Sequence, residues 1–264
     1  NNSFLDGKNI AIAGEIEVND LEKKVSESKL KGDDRIKFLR ELTSEIDNRV
    51  KPVIKLIAGS GKIPVIIGGG HNNSYGNISG TSAAFKKKIS VINIDAHADL
   101  RKKEGRHSGN GFTYALAEGS LNKYFVAGLH ENYNSEYILE QFRKNKNLKF
   151  VSFDSYLRGE ITLGKLIKDP IQFIGKDKCG IEFDLDSICG FPSSAETETG
   201  YTANDAREIL FQLASKTNSA YFHLTEGAPS KNPAQADGFA KLAAYLVADY
   251  IKAVSVRNKL NNKQ

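Results

Sequence analysis

Ser90-Val-Ile-Asn-Ile-Asp-Ala-His-Ala-Asp99 is the stretch on which the reading of the fold turns. Its first five residues are an apolar, β-branched run of the kind that forms a buried parallel strand. Its last five, Asp95-Ala-His97-Ala-Asp99, put metal-type side chains at every second position. Side chains two and four apart on an extended backbone project to one side, so the three can converge on a point. Two carboxylates flanking an imidazole at the end of a buried strand repel and desolvate one another unless cations neutralise them. The bland alternative is a surface loop that carries these residues by accident.

Two more segments argue against accident. Gly68-Gly69-Gly70-His71 follows the apolar run Ile63 to Ile67, and Asp184-Leu-Asp186 closes the run that starts at Gly180. Six candidate metal ligands result: His71, Asp95, His97, Asp99, Asp184 and Asp186. All stand where open α/β sheets bind their ligands, at the carboxyl ends of strands. A glycine-rich turn after a strand can also cradle phosphate, and a lone histidine is more often structural than a ligand. The P-loop and dinucleotide fingerprints are absent, however, so the glycines read as a tight turn that delivers His71. Four carboxylates and two imidazoles without a thiolate are a hard, oxygen-rich set that suits two Mn²⁺ ions and disfavours a structural zinc or an iron-sulfur centre. Fe²⁺, Co²⁺ or Zn²⁺ could occupy the same ligands if geometry or availability favoured them.

Short apolar runs alternate with amphipathic stretches along the chain, the signature of βαβ units and a mostly parallel sheet. Strands are expected at residues 9–13, 63–67, 90–94, 123–127, 148–153, 180–185 and 220–224, about seven in all. Ile36, Leu39, Leu42, Ile46, Val50, Val53 and Ile57 recur every three or four residues behind an Asp33-Asp34 cap, so a long helix should cover the sheet there, kinked at Pro52. Further helices are expected over 79–88, 135–145, 203–215 and 235–254, the last after Pro233. With 264 residues, 40% hydrophobic and 26% charged, and no linker-like segment, the sequence reads as a single α/β domain over residues 1–264.

No apolar run is long enough for a transmembrane helix, and residues 1–10 lack the apolar core of a secretory signal, so a cytoplasmic location with no membrane partner is expected. The net charge of +5 invites a nucleic-acid reading, but the lysines are scattered and no recognition motif accompanies them. A solvated surface explains the charge, and no nucleic-acid partner is expected. Cys179 and Cys189 have neither redox-pair nor zinc-ribbon spacing and read as free thiols.

With these residues in hand, the chain resembles the ureohydrolase superfamily of arginases, agmatinases and formimidoylglutamases over nearly its whole length. The G-G-x-H, D-x-H-x-D and D-x-D segments stand in that family's order and separations. The resemblance implies a three-layer α/β domain with a central, mainly parallel sheet of about eight strands flanked by helices. It implies that His71, Asp95, Asp99 and Asp184 hold two Mn²⁺ ions, with His97 and Asp186 completing the pair, and that Asp99 serves as catalytic acid and base. Glu226, in His223-Leu-Thr-Glu-Gly-Ala-Pro229, matches the family glutamate that faces the cationic amidino or guanidino group of a small-molecule substrate; the plain alternative is a solvated or helix-capping acid. Arg101, in Asp99-Leu-Arg101, and Asn110 are candidates to hold a substrate carboxylate. The histidine that shuttles protons in arginases aligns with Phe112, so either His107 substitutes or that role is missing.

Glu182 stands where many members carry serine, and Asp186-Ser-Ile-Cys-Gly-Phe-Pro192 replaces their usual continuation. Asp99-Leu-Arg101 and Pro192-Ser-Ser-Ala195 favour the formimidoylglutamase-like branch, and with it hydrolysis of N-formimidoyl-L-glutamate to L-glutamate and formamide. An arginase- or agmatinase-type guanidine hydrolase releasing urea is the alternative, and a metal-binding pseudoenzyme a second. Members usually assemble, so the resemblance also implies a homo-oligomer.

Overall fold

The apolar runs pair into one sheet. In the computed structural model, which describes residue 5 and residues 7–261, the strands are β1 (Val65–Ile67), β2 (Ile89–Ile94), β3 (Leu121–Leu129), β4 (Leu148–Ser152), β5 (Lys178–Asp184) and β6 (Asn218–Thr225). They lie side by side in the order β1-β6-β5-β2-β3-β4. Every neighbouring pair is parallel, so the intervening chain must cross over and supplies helices to both faces. These are α1 (Asn19–Glu27), α2 (Gly32–Gly59), α3 (Asn73–Phe85), α4 (Gly111–Ala117), α5 (Glu136–Lys144), α6 (Phe153–Leu157), α7 (Leu163–Ile174), α8 (Ala203–Lys216) and α9 (Ala236–Asn261).

Alternation along the strands sorts the side chains between two faces. Ile92, Ile94, Ile181, Phe183, Phe222 and Leu224 pack with Leu166 and Ile167 of α7, Ile209 and Leu213 of α8, and Leu246 and Tyr250 of α9. The opposite face carries Val91, Tyr124, Val126 and Tyr221 against Ile78 of α3, Phe112 of α4 and Ile138 of α5. Asn93, Glu182 and His223 belong to the second set by the same alternation. They are also cross-strand partners: Glu182 pairs with Asn93 on one side and with His223 on the other. A buried polar row therefore crosses three central strands on one face only.

Three expectations need correction. Residues 9–13 form no strand: Asn9 ends a short helical turn, residues 10–18 have no regular structure, and Ile12 is 98% exposed. A strand needs a partner's ladder and a covered face, and this run has neither. The sheet accordingly has six strands among the described residues, not eight. The long helix α2 forms as expected with Pro52 inside it, but its N-cap is Lys31 and it packs on α3 rather than on the sheet. Only Asp47, Val50, Ile54 and Ala58 of α2 are buried, while Ile36 and Val53 face solvent. No helix among the described residues is long and apolar enough to cross a membrane.

Candidate metal centre

At the carboxyl ends of the central strands, three loops meet. The turn after β1 uses positive φ at Gly68 (+91°) and Gly69 (+74°), which glycine adopts without strain. It is stitched to the end of β6, where the Glu226 N–H and the Thr225 hydroxyl both donate to the Gly69 carbonyl, at 3.1 and 2.8 Å. His71 is thereby swung over the sheet. Its own N–H donates to Glu226 Oε1 at 2.5 Å, so the glutamate is fixed by the histidine's backbone.

Asp95, His97 and Asp99 converge, but not by strand alternation. β2 ends at Ile94, and Asp99 reaches the cluster because its backbone is left-handed, with φ +49°. Glu226 is likewise left-handed, with φ +62°. Such conformations are costly away from glycine and persist where the surroundings over-determine them. Asp184 closes β5, while Asp186 lies in the helical turn Leu185–Ser187, whose N–H at Asp186 donates to Asp184 Oδ1 at 2.7 Å.

The inner cluster is tight. His71 Nδ1 lies 3.2 Å from Asp95 Oδ2 and 3.0 Å from both Asp99 Oδ2 and Asp184 Oδ2. None of these contacts to His71 meets hydrogen-bond geometry, and both buried ring nitrogens lack a hydrogen-bond partner. One ligand atom each from His71, Asp95 and Asp99 lies within 4.8 Å of the others. Among the described residues no lysine or arginine pairs with Asp95, Asp99, Asp184 or Asp186. Burial, reinforced by the Asp95 charge, pushes the Asp184 carboxyl well up, and burial likewise raises Asp99 and Asp186. Burial opposes charge on His71 too, yet the surrounding carboxylates of Asp184, Asp95, Asp99 and Glu182 hold it well above the usual imidazole range. Mutual repulsion among these buried carboxylates thus favours bound protons. Divalent cations would displace those protons and do the same work, so the donor set fits them.

His97 and Asp186 border the same cleft less tightly. The His97 ring stacks on Tyr133 at 5.3 Å, and its Nδ1 lies 3.4 Å from Asp95 Oδ1. Burial would lower its pKa, but Asp95 and its neighbours push it up to about 10. Asp186 accepts from the Ala195 N–H at 2.9 Å and the Ser194 hydroxyl at 3.3 Å. A cleft of about 280 Å³ opens above, lined by His97, Asp99, Arg101, Asp184, Asp186 and Glu226 together with Tyr133, Asn134 and Ser194.

Of the residues marked out by sequence, His71, Asp95, His107 and Asn110 do not line that cleft. The Asn110 oxygen accepts from Arg106 Nη1 and the His107 N–H, and its amide donates to the Lys102 and Gly105 carbonyls. An asparagine side chain has two donors and two lone pairs, so Asn110 is saturated in holding its loop and is corrected from a substrate ligand to a loop fastener. The His107 ring caps the turn Ser108–Asn110, with Nδ1 accepting from Gly109 at 3.1 Å and Nε2 3.3 Å from Glu104. His107 is not among the residues that line the cleft, although its neighbours Ser108 and Gly109 are. Phe112 is wholly buried, edge-on to His71 at 5.2 Å, so its position packs the ligand from behind. Sequence reasoning missed Asn134, whose amide donates to Ala96 and His130 carbonyls while its oxygen takes the Ala98 N–H, pinning the loop that carries Asp95, His97 and Asp99. Tyr133 was missed as well; no pattern in an irregular loop marks either residue.

An open parallel sheet whose strand ends converge on a carboxylate–imidazole cluster defines an α/β protein with a donor set that could hold hard cations. The chain belongs to the arginase family, whose model matches residues 4–252. It is 29% identical over 197 residues to the formimidoylglutamase of Streptococcus pyogenes serotype M3, covering 70% of this chain and 60% of that protein. The chain therefore spans about 60% of the length of the curated relatives it matches. Among solved structures, the Bacillus subtilis formimidoylglutamase superposes with a TM-score of 0.72 at 22% identity, covering 81% of this chain and 68% of that one. Trypanosoma cruzi formiminoglutamase with two Mn²⁺ gives 0.71 at 22% identity over 81% of this chain and 72% of that one.

Proposed function

We propose that the chain is a hydrolase of linear amidines that holds two Mn²⁺ ions between His71, Asp95, His97, Asp99, Asp184 and Asp186, and that its substrate is N-formimidoyl-L-glutamate. The observation that carries this reading is the ring of three carboxylate oxygens at 3.0–3.2 Å around the unpartnered Nδ1 of His71. The kinship with formimidoylglutamases of Streptococcus pyogenes and Bacillus subtilis supports the choice of substrate. When bound, a pair of divalent cations lowers the pKa of water towards neutrality and supplies a nucleophile at physiological pH.

The protein's own groups do the rest. Glu226, held by the His71 N–H, presents its carboxylate to the cleft and orients a cationic formimidoyl group. Arg101 lines the cleft with a side chain 63% exposed, where it pairs with Glu104 at 3.5 Å and can turn its guanidinium to fork a substrate carboxylate. Water adds to the formimidoyl carbon, the bond from that carbon to the glutamate nitrogen breaks, and formamide and L-glutamate leave. Asp99, which borders the cleft, takes the proton from the attacking water and returns it to the departing amine.

Incubating the Mn²⁺-loaded protein with N-formimidoyl-L-glutamate, and separately with arginine and agmatine, tests the reading. Formamide from the first substrate alone is expected. Urea from a guanidine would move the chain to the guanidine-hydrolysing members of the fold. Bound Mn²⁺ without turnover of any of the three would point to a metal-binding pseudoenzyme.

A further inference from the structure

His71 has two ring nitrogens in two different surroundings. Nδ1 faces the three aspartates, whereas Nε2 faces Glu182, whose Oε2 lies 3.6 Å away. Glu182 is wholly buried in the middle of β5, below the ligands on the polar face of the sheet. It is rigidly held there. Its Oε1 accepts from the Tyr221 hydroxyl at 2.6 Å, and its Oε2 lies 2.5 Å from His223 Nδ1. The other nitrogen of His223 lies 3.3 Å from the carbonyl of Gly68, in the turn that carries His71.

Gly180 makes this arrangement fit. Two residues before Glu182 on the same face, it leaves room for the phenol: a Cβ there would lie 2.1 Å from Tyr221 Cζ. Burying a carboxylate costs several kcal/mol unless its surroundings compensate. Here two donors are already supplied, and Oε2, which meets His223, also faces the back of the His71 imidazole.

Resting on the metal reading above, we propose that Glu182 is the positioning residue of His71. With Nδ1 given to a divalent cation, the hydrogen stays on Nε2 and faces the Glu182 carboxylate across 3.6 Å, which favours that tautomer and makes Nδ1 a stronger donor to the cation. Tyr221 and His223 hold Glu182 in turn, so the ligand's support runs from β5 and β6 to the turn after β1.

The experiment is an Mn²⁺ titration of chelator-stripped protein, following the free-ion electron paramagnetic resonance signal. The wild type is expected to take up two equivalents; uptake of none would remove the metal reading itself, and this proposal with it. In Glu182→Gln one equivalent should weaken by roughly 10–100-fold while the other stays within about threefold, because only one ligand loses its partner. Wild-type affinity at both equivalents would overturn the proposal and leave the metal reading standing. Equal weakening of both, with a lower metal-free melting temperature, would also overturn it, because that is what a merely structural carboxylate gives. Should Glu182→Gln fail to fold, Tyr221→Phe removes one donor from the same carboxylate and should weaken the same equivalent by about three- to tenfold; no change at either equivalent would refute the assignment.

Discussion

The two faces of the sheet are made from alternate residues of the same strands, yet they are built on different principles. On one, Ile92, Ile181 and Phe222 meet α7, α8 and α9 in unbroken hydrocarbon. On the other, Asn93, Glu182 and His223 lie side by side beneath α3, and each serves the cluster above: Asn93 donates to Asp95 Oδ2 at 2.9 Å, Glu182 stands behind His71, and His223 reaches the turn that bears it. Apolar burial is non-directional and supplies most of the stability, whereas hydrogen bonds and charges fix positions. The sheet thus divides the labour: one face holds the chain folded, and the other aims the ligands.

The largest separation between the faces should come from Asp99→Asn against Phe222→Ala. Asp99→Asn removes a ligand charge and the proton acceptor together, so turnover should fall by roughly 10³-fold or more, with weakened Mn²⁺ uptake and little change in metal-free melting. Phe222 is wholly buried and stacks on Tyr250 at 4.7 Å. Its truncation should cost about 3–5 kcal/mol in denaturant unfolding while activity per folded molecule is retained. Near-normal turnover in Asp99→Asn would dissolve the functional half of the contrast.

A charged outer layer should also make the polar side respond to pH where the apolar side cannot. Asp47 of α2 accepts from Arg106 Nε at 2.7 Å and Nη2 at 3.3 Å, and Arg106 continues to the Asn72 carbonyl at 2.8 Å. Burial outweighs the arginine and pushes the Asp47 pKa from 3.8 up to about 6. Between these values the native protein keeps a proton that the unfolded chain has released. The stabilising contribution of this group is therefore complete below about pH 4 and is lost as pH rises through about 6, with a ceiling of about 3 kcal/mol. Asp47→Asn should remove that component, so its unfolding free energy, measured in chelator, should gain on the wild type as pH rises across this window. Parallel curves would show that Asp47 titrates alike in both states.

What could be read from the sequence follows the same division. Strand cores were legible because period-two alternation is a local pattern, and the histidines and aspartates of the cluster stood out by residue type. Helix α7 was missed although Leu163, Leu166, Ile167, Pro170, Ile171 and Ile174 carry a helical repeat, with Pro170 buried inside it. The run at 9–13 looked like a strand because propensity cannot reveal that no partner stands beside it. Asp99 and Glu226 were found by residue type, but their left-handed backbones, which do the converging, belong to tertiary context. Asn110 was misplaced for a related reason: a side chain's hydrogen-bonding capacity can be counted from its type, but whether it is already spent depends on the loop's closure.

The finest test of the contrast is a single methyl group. Gly180 faces the polar side, where an added Cβ meets the Tyr221 ring, whereas its neighbour Ile181 faces hydrocarbon. Gly180→Ala should cost about 1–3 kcal/mol by forcing the phenol aside, and the loss should carry over into Mn²⁺ affinity because Glu182 loses its Tyr221 donor. Ile181→Val, which removes a methyl from the apolar side, should cost about 0.5–1.5 kcal/mol and leave the metal untouched. Combining Gly180→Ala with Tyr221→Leu separates space from support: the stability costs should be less than additive, since the obstructing ring is gone, while the affinity loss persists. Strict additivity in stability would mean that the ring has somewhere else to go, and that the glycine is not what seats it beneath Glu182.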